Sequence, residues 1–236
     1  MKNRSALVVD DDPGDRDTIS AVVRRAGFEV STVARGRAAL AHLDELEPDL
    51  VVLELSLPDV DGLEVCRRIR SASDCYIMFV SDRQDEIDLL LGLEAGADDF
   101  MSKPVSPREM QARIAALFRR PRTSSAAPRA AGVDRDGRIE GGGGLVLDRH
   151  ARDVVVHGKP VALTRTEFDL LTALATRPGV VMRRNELLRE VWEMEHATDT
   201  HLVDVHVANV RRKLREHGEA RWIRTVRGVG FRFDAA

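Results

Sequence analysis

The chain has only two cysteines in 236 residues, Cys66 and Cys75, and neither stands in a CxxC or Cys/His spacing. That argues against a thiolate metal site, and both thiols are expected to be reduced and partly buried within regular segments. No stretch is long and apolar enough to suggest a membrane span. The N-terminal Met1-Lys2-Asn3-Arg4-Ser5 runs into an apolar segment that stops at Asp10, too short for a secretion signal. A cytoplasmic location with no membrane partner is expected. There is no internal repeat, no Gly-rich phosphate loop and no DxDxT-type nucleophile. Net charge is also small, −3, but it is unevenly spread. Residues 1–118 hold 14 Lys and Arg against 23 Asp and Glu, a net of −9; residues 119–139 carry +4 and residues 140–236 carry +2. The two ends differ in sign, which suits an acidic regulatory half and a half that meets a polyanion.

What is present is a regular alternation. From Ser5 to Arg119, short Val/Leu-rich runs alternate five times with longer amphipathic stretches, the pattern of a βα-repeat with a parallel sheet. Strands are expected at Ala6–Val9, Phe28–Val33, Leu50–Leu55, Tyr76–Val80 and Asp99–Ser102. Helices are expected near Gly14–Ala26, Gly36–Leu46, Gly62–Ile69, Gln84–Ala95 and Ser106–Arg119. The expected architecture is α/β, a five-stranded doubly wound (flavodoxin-like) domain over residues 1–120. Pro121–Gly144, rich in Pro, Ser, Ala, Arg and Gly, reads as a flexible linker. Residues 145–236 show β signals at Leu145–Leu147, Asp153–Val156 and Val161–Leu163, then helical patterns at Arg165–Thr176, Arg184–Trp192 and Asp199–Glu216. A hairpin pattern closes the chain, Trp222–Val226 and Phe231–Phe233 around a Gly-containing turn. The two tryptophans, Trp192 and Trp222, read as core aromatics before interaction anchors.

In a doubly wound sheet, ligands gather outside the carboxyl ends of the strands. Asp10, Asp11 and Asp12 follow the first strand, Glu54 ends the third, Ser81 follows the fourth, and Lys103-Pro104 follows the fifth. Three aspartates alone would read as a solvated rim. The coincidence of four loops on one edge favours a pocket. Clustered carboxylates of this kind accommodate Mg²⁺, and a lysine with a neighbouring hydroxyl can hold phosphoryl oxygens.

The motifs Val8-Val9-Asp10-Asp11, Leu53-Glu54-Leu55 with Leu57-Pro58, Asp61-Gly62-Leu63-Glu64-Val65, Gly92 through Phe100, and Lys103-Pro104 together resemble a bacterial response-regulator receiver domain. The resemblance implies Mg²⁺ on Asp10, Asp11 and the main-chain carbonyl of Ser56, a phosphoryl-sensing hydroxyl at Ser81, a rotating aromatic at Phe100 and a phosphate-binding Lys103. It also implies a homodimer through the fourth helix, fifth strand and fifth helix, with Leu89, Asp98, Asp99, Glu109 and Arg113 at the interface. Three positions depart from the pattern. Glu54 stands where the family has its phosphoacceptor aspartate, so its carboxylate is displaced by about one C–C bond length. In-line attack and a Glu54 bond to Mg²⁺ are both put in doubt, and the longer side chain could imitate the phosphorylated state. Asp82 replaces a small residue, and Leu89 a basic one. Such changes are unneeded in an engineered mimic, and they favour natural divergence.

On a helical wheel of Asp199–Glu216, Val203, Val207, Val210 and Leu214 form a core stripe. His201, Val205, Ala208, Asn209 and Arg212 lie opposite, flanked by Arg211 and Arg215. Such a face could read a major groove, although a solvated basic helix end would look similar. Residues Leu145–Phe233 resemble the winged helix-turn-helix effector domain of the OmpR/PhoB subfamily, through Leu163–Leu171, Arg184–Leu188 with Val191-Trp192, Val203–Val207 with Leu214, and Thr225–Phe233. That resemblance implies a recognition helix at Asp199–Glu216, a wing carrying Thr225 and Arg227, and a loop at Glu193–Thr198 facing RNA polymerase. Ala208 and Asn209 replace arginines common in relatives. The expected function is sequence-specific binding of double-stranded DNA by a transcription regulator, not an enzyme. Its receiver is either phosphomimetic or phosphorylation-independent, and a sensor histidine kinase partner is left open. Two alternatives stand beside it: a receiver that senses a small ligand or partner protein, and a Mg²⁺-dependent phosphoryl-transfer enzyme.

Overall fold

A computed structural model of the chain describes residues 4–83, 85–118, 137–194 and 200–235. The chain divides into two units, Met1–Phe118 and Arg119–Ala236. In the first, β1 (Arg4–Val9), α1 (Pro13–Arg25), β2 (Phe28–Val33), α2 (Gly36–Leu46), β3 (Leu50–Leu53), α3 (Gly62–Ala72), β4 (Tyr76–Ser81), α4 (Glu86–Glu94), β5 (Asp99–Ser102) and α5 (Pro107–Phe118) alternate as expected. The five strands are parallel in the order β2-β1-β3-β4-β5. Every residue of β3 and β4 is buried, which is why these two read as unbroken apolar runs: helices cover both faces of a parallel sheet. One core layer joins Val8, Leu50 and Met78 of the sheet to Ile19 and Val23 of α1 and Ile114 of α5.

Local chemistry fixes where the helices begin. The Asp12 carboxylate accepts from the Asp15 amide at the start of α1, Pro13 opens the helix, and Arg24 and Arg25 lie in its last turn. Gly62 begins α3 where a Cβ would fall 2.4 Å from the Glu54 carbonyl oxygen and 2.7 Å from the Leu55 Cα. Only glycine lets the helix start press this closely on the loop carrying Glu54. The third strand ends at Leu53, two residues earlier than expected. Glu54 thus lies just beyond the strand, at the sheet edge.

The second unit contains β6 (Arg138–Gly142), β7 (Leu145–Asp148), β8 (Asp153–Val156), β9 (Lys159–Pro160), α6 (Arg165–Ala175), β10 (Val181–Arg183), α7 (Arg184–Val191), α8 (His201–Arg215), β11 (Ile223–Val226) and β12 (Gly230–Phe233). An antiparallel sheet β6-β7-β8-β9 precedes the helices, and a second sheet, β10-β12-β11, completes the wing. The linker expected over 121–144 is too long at its C-terminal end. Residues 138–142 are β6, and Gly142, Gly143 and Gly144 turn the chain into β7 with φ of 69, 51 and 80°. A glycine run that looks flexible by composition here serves a turn requiring left-handed backbone, and the Trp222 indole donates to the Gly142 carbonyl at 3.0 Å. Residues 121–136 of that expected linker lie outside the described residues, as does most of the loop at 193–198. The expected strand at Val161–Leu163 is replaced by the two-residue β9. Trp192 and Trp222 are core residues, 1% and 2% exposed.

Candidate functional site

The carboxyl ends of β1, β3, β4 and β5 bring Asp10, Glu54, Ser81 and Lys103 together, all four buried. The Ser81 hydroxyl donates to Glu54 Oε1 at 2.5 Å, and the Ser56 amide donates to the same oxygen at 3.1 Å. The other Glu54 oxygen lies 2.8 Å from Lys103 Nζ. That ammonium also meets Asp10 Oδ2 at 2.9 Å and Asp15 Oδ2 at 2.8 Å. Three carboxylates share one ammonium. Burial pushes the Asp10 carboxyl above its ordinary range, and Lys103 offsets only part of this. Burial works against the Lys103 charge too, but hydrogen bonds to Asp15, Glu54 and Asp10 outweigh it and hold the ammonium above the usual lysine range. Phe100 is buried, its ring 6.4 Å from that of Phe79. Asp11, Ser56 and Asp82 are exposed at the rim.

The Mg²⁺ implied by the receiver resemblance does not fit the pocket as it is arranged. Lys103 Nζ occupies the position between the two buried carboxylates, the remaining Asp10 oxygen accepts from the Asp12 amide at 3.0 Å, and both Glu54 oxygens already accept from donors. Among the described residues no group of three or more His, Cys, Asp or Glu is placed to hold a metal.

On the second unit, α8 presents His201, Ala208, Arg212 and Arg215 to solvent, with Asp204 and Arg211 half-buried beside them. Val205 and Asn209, expected on this face, are instead 7% and 6% exposed. The helix packs on more than the one core stripe. Leu202 and His206 are buried as well, and His206 packs on Trp192 with ring centroids 5.3 Å apart, so a second flank of the helix is covered. Arg211 is turned onto the terminal hairpin, donating from Nε to the Ile223 carbonyl at 3.1 Å and from Nη2 to Thr225 Oγ1 at 2.8 Å. Arg212 and Arg215 are exposed, as are Thr225 and Arg227 on the hairpin.

Residues 6–115 match the response regulator receiver domain family, and residues 158–233 match the family described as transcriptional regulatory protein, C terminal. The chain is 41% identical over 231 residues to the transcriptional regulatory protein AfsQ1 of Streptomyces coelicolor, covering 98% of each chain. It is 40% identical to the DNA-binding response regulator MtrA of Mycolicibacterium smegmatis, covering 96% of this chain and 95% of that protein. Among solved structures it is similar to a RitR mutant (TM-score 0.73, 27% identity, 99% and 100% covered) and to DrrB of Thermotoga maritima, an OmpR/PhoB homolog (TM-score 0.51, 29% identity, 98% and 99% covered). The chain is an OmpR/PhoB-type response regulator. It is a DNA-binding transcription regulator built from a receiver and a winged-helix effector domain.

The response regulator's expected interface residues fare unequally. Asp98 is 1% exposed and points inward, where its carboxylate meets Arg70 Nη2 at 2.8 Å and the Ile77 amide at 3.0 Å. It is therefore not a surface residue. Asp99 is likewise buried and pairs within the chain with Arg113 at 2.7 Å, while Arg113 also holds Glu109 at 2.8 Å. Leu89 is half-buried, and the apolar groups most exposed on α4 are Ile87 and Leu91.

Sequence reasoning missed Asp15, Arg16 and Arg70. Asp15 lies three residues after the N-cap Asp12, in the first turn of a helix that starts at the pocket edge, and that spacing was a usable signal. Arg16 donates to the Asp10 carbonyl at 2.8 Å and fixes the β1–α1 loop. Arg70 gathers the nearby Cys75 carbonyl with the Gly96 carbonyl and Asp98, 26 and 28 residues away, which no local pattern announces.

Proposed function

We propose that this regulator's receiver is held in its signalling arrangement by Glu54 itself and does not use aspartyl-type phosphorylation. One observation carries this reading: the Glu54 carboxylate bridges Ser81 and Lys103, the two groups that the receiver resemblance assigns to phosphoryl oxygens. The buried position of Phe100 supports it. The effector domain then reads double-stranded DNA with α8 in the major groove, through His201, Ala208, Arg212 and Arg215, and with Thr225 and Arg227 of the hairpin near the minor groove. Homodimerisation through α4, β5 and α5, supported by the outward Ile87 and Leu91, a contact with RNA polymerase and a cytoplasmic location belong to the same reading. A sensor kinase is not required by it.

The test uses the full-length chain. Incubation with a small-molecule phosphodonor and Mg²⁺ should add no mass, and Glu54→Gln should weaken DNA binding by roughly 5- to 150-fold, the usual span of coupling between two sites. A stoichiometric phosphoryl adduct mapped to Glu54, or unchanged DNA binding by Glu54→Gln, would overturn the proposal.

A further inference from the structure

Five arginines around α7, α8 and the terminal hairpin fall into two groups that charge alone does not separate. Arg212, Arg215 and Arg227 are exposed, Arg212 held only by a solvent-exposed pair with Glu216, and their guanidinium groups face outward to where a phosphate or a base edge would lie. Arg184 and Arg211 are not. Arg184, the first residue of α7, grips Asp204 of α8 with two parallel bonds, Nε to Oδ2 at 2.8 Å and Nη2 to Oδ1 at 2.7 Å. Arg211, seven residues after Asp204 and so on the same side of α8, reaches the Ile223 carbonyl and the Thr225 hydroxyl of β11. Both guanidinium carbons lie over the ring of Phe231 in β12, at 4.9 Å and 5.5 Å from its centroid, and that ring is 2% exposed.

The backbone beneath is held tightly. Arg183 of β10 pairs with Gly230 of β12, where a Cβ would fall 2.0 Å from the Met182 carbonyl oxygen. The start of α7, the middle of α8 and both strands of the terminal hairpin therefore meet around one aromatic ring. A bidentate Arg–carboxylate pair and an arginine stacked on an aromatic face are each geometrically exacting, and lysine reproduces neither. Burial lowers the Arg211 pKa, with Arg215 adding repulsion.

We infer that Arg184 and Arg211 are positioning residues that clamp the wing to the recognition helix through Phe231, so that major-groove and minor-groove contacts are made as one unit, and that Arg211 is not itself a phosphate contact. This rests on the proposed placement of α8 and the hairpin on DNA. Its consequence is an energetic coupling between Arg211 and Arg227, which lies at the wing turn two residues beyond Thr225.

The experiment measures binding of the full-length chain, across a salt series, to a duplex selected from a randomised pool with that same chain. Arg215→Gln should lower the slope of log affinity against log salt by about one unit, as for one lost phosphate contact. Arg211→Gln should weaken binding with the slope unchanged. Arg227→Ala should cost at least threefold less affinity in the Arg211→Gln background than in wild type, because the wing is already uncoupled. Should Arg211→Gln unfold, Thr225→Val serves instead: it removes the exposed hydroxyl that Arg211 holds and should also shrink the effect of Arg227→Ala. A slope loss of about one for Arg211→Gln, or full additivity with Arg227→Ala in whichever background folds, overturns the clamp. If neither Arg215→Gln nor Arg227→Ala changes binding, the placement on DNA is wrong, and the clamp falls with it.

Discussion

The receiver pocket and α8 with its neighbouring hairpin both concentrate charge, yet they handle it in opposite ways. In the pocket a single ammonium is buried among three carboxylates, and Asp10, Glu54 and Lys103 all have their partners inside the fold. On α8 and the hairpin the guanidinium groups are divided: Arg211 is spent on carbonyl, hydroxyl and ring, while Arg212 and Arg215 project into solvent. A charge already satisfied within the chain sets structure; a charge held out of the fold is available to a partner. Counting residues gives the receiver a net of −9 and residues 140–236 only +2, yet the weaker excess belongs to the half with exposed cations on one helix face.

The contrast between the two regions is sharpest at Lys103. Lys103→Met leaves Asp10 and Glu54 buried without their cation and should cost the receiver about 3–5 kcal/mol. Both tryptophans lie in the effector domain, so tryptophan fluorescence should show that domain melting unchanged while amide exchange in β1 and β3 accelerates. The loss should depend on pH in a defined direction. In the wild type Lys103 is held above its ordinary 10.5, so its stabilisation is complete below that pH and disappears only in strong alkali. Asp10, raised above 3.8, opposes folding while ionised, and that opposition fades as pH falls through its folded pKa toward 3.8. Without Lys103 the opposition is larger, so the gap between variant and wild type should narrow on acidification. A gap that widens as pH falls would mean that the carboxylates are not the buried partners described.

Smaller effects test the effector side. Gly230→Ala forces a methyl against the Met182 carbonyl and should destabilise the effector domain by about 1–3 kcal/mol or more, read by tryptophan fluorescence, with receiver exchange unaltered. Val205→Ala removes buried apolar surface and should cost about 1–3 kcal/mol of effector stability while leaving base preference at a selected site unchanged. A change in preference without a change in stability would return Val205 to the groove. The smallest stability effect is expected at Arg212, whose bond to Glu216 is an exposed i,i+4 pair at 3.4 Å. Arg212→Ala should alter thermal stability by no more than about 0.5 kcal/mol but lower the salt slope of DNA binding by about one unit. Equal salt slopes for variant and wild type would remove Arg212 from the phosphate contacts.

The βα alternation, the sheet edge that collects Asp10, Glu54, Ser81 and Lys103, and the core stripe of Val203, Val207, Val210 and Leu214 were all legible from local residues alone. Each follows from a short period or from the end of an apolar run, information held within a few neighbouring residues. Packing between elements settles that Glu54 spans Ser81 and Lys103, that Asp15 joins them, and that Asp98 turns inward to Arg70. It also settles that 138–144 is a hairpin and not a tether, that Val205 and Asn209 are covered, and that Arg211 faces the wing. In most of these the deciding partner is distant in sequence: Ser81 and Lys103 on Glu54, Trp192 against His206, Thr225 on Arg211. A helical wheel or a composition window averages over local positions and has no means of representing a second surface that packs from elsewhere in the chain. Whether a charged or polar side chain is spent inside the fold or offered to a partner is therefore fixed by packing between elements, after the elements themselves have been set by the sequence.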